Sequence, residues 1–223
     1  MGSAIGDTLP LAVGIAISPI PIIAAILMLL SPKARATSVG FLVGWVLGIA
    51  VAATVFTLLS SALPEGDEDA SKPVTAVMRL VLGAGLLLLS LRQWRSRPAP
   101  GVEPPLPKWM AGIDAMTAGR AFGLGFLLAA VNPKNLLLGA GAGLAIGAAG
   151  LAVGESAIVL LVFTLVAAAS VAVPVIAYLV ASERMAAPLE RLRAWLVHNN
   201  ATVMAVLLLV IGVVLIGKGI GNF

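Results

Sequence analysis

The chain has 223 residues, 60% of them hydrophobic and only 11% charged, with a mean hydropathy of +1.09. That balance excludes an ordinary soluble domain and specifies an integral membrane protein with little mass outside the bilayer. The formal charge of +4 comes from lysines and arginines scattered between apolar runs, unlike the concentrated basic face of a nucleic-acid binder. Cysteine is absent, which removes disulfide frameworks, thiol relays and thiolate-bound metals.

Crossing a bilayer as a helix takes about 20 apolar residues, and six segments meet or approach that length. Residues 9–30 form the first, interrupted at Ser18-Pro19-Ile20-Pro21. No basic n-region precedes it, so it is expected to be retained as a crossing. Residues 37–63 are uncharged throughout, and 74–91 are shorter, with Arg79 near one end. The fourth segment, 121–150, is interrupted at Asn132-Pro133-Lys134-Asn135. The fifth, 156–181, contains Pro174 as an expected kink, and 201–220 has Lys218 near its end. Arg79 and Glu155 mark the water boundary.

The connections set orientation. Lys33 and Arg35 follow the first crossing; Arg92, Arg95, Arg97, Lys108 and Arg120 follow the third; Arg184, Arg191 and Arg193 follow the fifth. The second connection is acidic, with Glu65, Asp67, Glu68 and Asp69, and the fourth has no basic residue. Basic connections thus alternate with non-basic ones, and the positive-inside rule places both termini outside the plasma (inner) membrane. Residues 92–120, with Pro98, Pro100, Pro104, Pro105 and Pro107, read as a cytoplasmic Pro/Arg-rich linker, either semi-rigid and extended or a plain disordered connector. In 185–198, Met185, Leu189, Leu192 and Leu196 keep helical spacing beside Trp195. That pattern predicts an interfacial amphipathic helix; an extension of the fifth or sixth helix is the alternative.

The two interruptions carry the chemistry. Proline removes an amide donor and clashes with the preceding turn. Asparagine and lysine at depth are costly unless they face protein or a water-filled cavity. Placing Pro19 over Pro133 sets Ser18 over Asn132 and Pro21 over Asn135, with three crossings in each half. An odd number of crossings turns the second copy over, so 1–91 and 121–223 read as inverted three-helix repeats. The fold class expected is therefore an all-α integral membrane protein of six transmembrane helices, with helices 1 and 4 broken.

A broken helix exposes carbonyls at the end of its first half and amides at the start of its second. The amide end favours an anionic group, and Lys134 adds a full charge there. No acidic residue lies mid-span, which favours a polar or anionic headgroup over a metal cation. Ser18, Pro19, Pro21, Asn132, Pro133, Lys134 and Asn135 are the candidate substrate-binding residues. The competing reading has Lys134 snorkelling to a cytoplasmic vestibule as an anchor, and Pro19 and Pro21 serving only as a packing kink. Neither a metal nor a cofactor is expected. Gly40, Gly44 and Gly48, with Gly139, Gly143 and Gly147, are spaced for close helix packing, a homodimer face being the alternative. His198 is a lone interfacial histidine.

The Ser-Pro-Ile-Pro break, the stretch Ser31-Pro32-Lys33-Ala34-Arg35-Ala36, the run Gly40-Phe41-Leu42-Val43-Gly44-Trp45 and Asn132-Pro133-Lys134-Asn135 together resemble the actinobacterial glycolipid-addressing proteins. That family includes sulfolipid-addressing members and is similar to the wider lysine-exporter superfamily. The resemblance implies a transporter moving glycolipids or peptidoglycolipids to the cell envelope, with the seven residues above lining its central site. A small-solute exporter for amino acids or metabolites is one alternative. A membrane scaffold for partner enzymes of lipid synthesis is another. No enzyme activity is expected, because the chain has no histidine pair and no nucleophilic serine elbow.

Overall fold

The computed structural model describes residues 1–61, 68–97 and 108–221. Within them the chain is helical. Helix α1 spans Gly2–Ala16, α2 Pro19–Leu29, α3 Ala34–Ser61 and α4 Glu68–Arg95. A 3-10 helix at Lys108–Ala115 leads into α5, Ala118–Ala130, and α6, Pro133–Gly147. Helices α7, Val153–Ser182, and α8, Arg184–Ile220, complete the chain.

Helix α3, the Ala76–Arg95 part of α4, α7 and α8 are each long and apolar enough to cross a membrane. The pairs α1–α2 and α5–α6 bend by 52° and 62°, and counting each as one broken crossing brings the total to six. The molecule is a multi-pass membrane protein.

Both interruptions arise where the proline rule places them. Pro19 opens α2 after Ser18, whose extended torsions end α1, and Pro133 opens α6 after Asn132 in the same role. Proline suits the first position of a helix because the amide it lacks has no intrahelical partner there. The second half of each pair lies in the protein interior: Ile23, Ala24, Ala25, Ile26, Met28 and Leu29 of α2 and most of α6 are buried. The first halves reach the surface through Leu9, Val13 and Ile17 and through Phe122, Leu127 and Val131.

Small residues set the helix contacts. A Cβ on Gly44 would collide with the carbonyl oxygen of Phe122, and one on Gly48 would lie 2.8 Å from that of Phe126, so α3 and α5 touch backbone to backbone. Gly143 and Gly147 bring α6 equally close to α3, with Ala53 O and Thr57 O at 2.6 and 2.7 Å from the added carbons. These glycines are spent on packing within the chain; the homodimer face imagined for the stripe is covered by the chain's own helices. Helix α4 lies along α8 in the same manner, Gly83 against Gly212 and Gly219 against Ala76, with Ser90 Oγ donating to Ala205 O at 2.7 Å.

Three expectations need correction. Residues 185–198 are not a separate interfacial helix but the first turns of α8, which continues unbroken into the last crossing. Asn199 and Asn200 do not stop it, because the Asn199 amide donates to Trp195 O and stays within the helix. The non-helical torsions fall at Ala181 (φ −143°, ψ 56°), at the end of α7, not at Pro174. A helix in an apolar setting accommodates a single proline when neighbours surround it. The 92–120 linker is helical at both ends, where α4 runs to Arg95 and the 3-10 helix and α5 begin; its five prolines, and Glu65 and Asp67 of the acidic connection, lie outside the described residues.

Candidate functional site

In an unbroken α1 the Ser18 amide would donate to the Gly14 carbonyl. Instead Ser18 N–H turns back to Ile15 O at 3.1 Å, and Ile17 N–H goes to Val13 O at 2.9 Å. Gly14 O, five residues before Pro19, is thereby left without its helical donor. At the second break Asn132 N–H turns to Leu127 O at 3.2 Å, which frees Leu128 O, again five residues before the proline.

Lys134 and Asn135 satisfy these two carbonyls. Lys134 Nζ donates to Gly14 O at 2.8 Å, across 120 residues of sequence, and Asn135 Nδ2 donates to Leu128 O at 2.8 Å. Asn132 Oδ1 holds the start of α6 by accepting from Lys134 N–H at 3.1 Å. A carbonyl buried without a donor costs about 1–3 kcal/mol, so the polar run that looked expensive at depth repairs the damage done by both prolines.

Lys134 is 7% exposed and Asn135 1%. Besides Gly14 O, the ammonium meets Met204 Sδ at 3.8 Å on α8, and among the described residues no carboxylate lies within ion-pair distance. An ammonium has three donors, and a thioether is a weak acceptor, so one proton is well used and the others are not. Asn135 Oδ1 and, on α8 one turn before Met204, Asn200 Oδ1 are buried without a partner among the described residues. The interior therefore presents an unpaired cation and free amide oxygens. That set suits a group that is anionic or carries hydroxyl donors.

Of the seven sequence-chosen residues, Ser18, Pro19, Pro21, Lys134 and Asn135 are buried, and Asn132 is half-buried. Pro133 is the correction: its ring is exposed and lines no interior site. Its contribution is the amide it lacks. The interruptions meet through Gly14, whose missing Cβ matters, since one would lie 3.0 Å from Leu138 Cδ1 and run into Ile211 of α8.

The chain matches the family of Sap, sulfolipid-1-addressing protein, over residues 8–221. It belongs to that family. Neither the curated proteins nor the solved structures offer a match to it. A membrane protein of glycolipid addressing fits what the helices and the family together establish.

Sequence reasoning missed three participants in this family member. Gly14 and Leu128 act through backbone carbonyls, and counting five residues back from each proline would have found them. Met204 carried no signal. Neither did the pairing of Asp7 with Lys218, an ion pair joining α1 to α8 at the end of the bundle opposite Lys33 and Arg35. Beside it is a cavity of about 20 Å³ lined by Leu11, Arg79, Leu82 and Gly141 among others, room for about one water.

Proposed function

We propose that this protein moves a glycolipid or peptidoglycolipid with a polar or anionic headgroup outward across the inner membrane, by alternating access between two oppositely oriented three-helix halves. The observation that carries the proposal is the matched repair of the two breaks. The carbonyl five residues before each proline is freed, and neighbouring residues of one motif, Lys134 and Asn135, cap both. Discontinuous helices in corresponding positions of two halves are the usual place for a transporter's substrate site. The close α4–α8 packing, third helix of one half on third helix of the other, agrees with a pseudo-twofold relation.

In this reading the conformation is an occluded one. Lys134 and Asn135 are held by the chain's own carbonyls, and an incoming headgroup takes over the spare ammonium protons and the free oxygen of Asn135. Both termini lie outside in this reading, which the distribution of basic connections supports. The tight closure around Lys134 favours a second reading, export of a small anionic solute, which needs no lateral opening.

Native mass spectrometry of gently purified protein tests the proposal. A bound glycolipid is expected, and it should be released by substitution at Lys134. Saturable flux of a small anion in vesicles made without glycolipid, from protein that carries no lipid, would replace the proposal with the second reading.

A further inference from the structure

At the end of the bundle away from the Asp7–Lys218 pair, a groove of about 430 Å³ opens between the turn before α3 and the last turns of α7, lined by Pro32, Lys33, Ala34, Arg35, Ala36, Tyr178, Leu179 and Ser182. Its volume is in the range of small-molecule sites. Lys33 and Arg35 are both exposed, and among the described residues neither has a carboxylate partner. Tyr178 and Ser182 add hydroxyl groups on the facing wall, and among the described residues no carboxylate lines the groove.

From Arg35 an exposed apolar track winds along α3 through Val39, Val43, Leu47, Val51 and Val55, each four-residue step turning it by about 40°, and all five are between 41% and 46% exposed. In a membrane protein such a track meets acyl chains. Cations sit at the mouth of the groove and an unpartnered apolar track leads away from it along the crossing. A soluble anion would use the first of these and have no use for the second.

We propose that this groove is a binding site for the anionic phosphate or sulfate headgroup of a membrane lipid, whose acyl chains follow the exposed α3 track that starts at Val39 and Val43. Lys33 and Arg35 hold the anionic oxygens, Arg35 as a planar fork and Lys33 as a point charge. Tyr178 and Ser182 donate to the same headgroup. The site is separate from Lys134 and does not depend on the transport reading: it forms equally in a carrier whose lipid waits there and in a protein that is only anchored there.

The test compares full-length parent, Lys33→Gln/Arg35→Gln, and Arg92→Gln/Arg95→Gln in nanodiscs of phosphatidylcholine containing a minor fraction of phosphatidylglycerol. After transfer to detergent, retained lipid is counted by native mass spectrometry. Among the described residues the Lys33 and Arg35 side chains make no hydrogen bond or ion pair, so the first double variant is expected to fold. The parent should retain phosphatidylglycerol preferentially, and that preference should fall about 30-fold in Lys33→Gln/Arg35→Gln, the product of two interfacial cations. Arg92→Gln/Arg95→Gln should keep it.

No preference in the parent, or equal loss in both double variants, would overturn the site in favour of diffuse surface charge. Displacement of the lipid by millimolar glycerol phosphate or inorganic sulfate as readily as by a diacyl lipid would overturn the role of the α3 track and make the occupant a soluble anion.

Discussion

Replacing Lys134 with methionine keeps most of the side chain's length and its packing against α8, but removes its donor to Gly14 O. Two opposing effects on stability follow. The Gly14 carbonyl loses its partner, a cost of about 1–3 kcal/mol. The interior loses an ammonium that has no carboxylate partner among the described residues, relieving about 2.5–3.5 kcal/mol on insertion scales. The terms nearly cancel, so Lys134→Met should unfold in mixed micelles within about 2 kcal/mol of the parent, followed through tryptophan fluorescence. Ligand retention should change far more. A hydrogen bond to a charged group is worth about 1.5–3 kcal/mol, so retention of an anionic headgroup should weaken roughly 10- to 150-fold, read by lipid titration in native mass spectrometry. If Lys134→Met is as stable as the parent and holds the same lipid with the same affinity, the ammonium has no part in binding and serves only to cap α1.

The packing contacts make sharper predictions. Gly44→Ala drives a methyl into the Phe122 carbonyl and should cost about 1–3 kcal/mol, whereas Gly139→Ala, whose added carbon would sit 3.6 Å from Ala52 Cβ, should be tolerated within about 0.5 kcal/mol; unfolding curves of the two variants check both. Ser90→Ala removes the α4–α8 bond to Ala205 O and should destabilise by about 0.6 kcal/mol, the average for an interhelical bond in a membrane protein. Asp7→Asn breaks a partly exposed ion pair with Lys218 and should cost under about 1 kcal/mol, with the difference from the parent vanishing in high salt.

The positions of the two breaks were legible because their cause is local. Pro19 and Pro133 lack an amide, and the turn before each must end whatever surrounds it. The crossings were legible for a similar reason, since twenty apolar residues announce themselves without reference to anything else. Where local cause weakened, the reading weakened too. Pro174 carries the same covalent defect as Pro19, yet the chain departs from helical torsions at Ala181. Of the spaced residues in 185–198, Leu189 and Leu196 are buried but Leu192 is exposed, and the spacing left open whether the helix ends there; α8 runs through.

By itself, then, the amino-acid sequence determined that this is a membrane-spanning helical chain and where two of its crossings break. Only the tertiary structure decided which carbonyls those breaks orphan and what satisfies them. Leu128 O finds Asn135 seven residues away, but Gly14 O finds Lys134 at a distance of 120, and Asp7 finds Lys218 at 211. A missing donor is a property of one residue; its replacement is whichever polar group the packing of α1 against α6 and α8 delivers within 3 Å. That packing depends on small residues such as Gly14 and Gly44, whose neighbours no local pattern names.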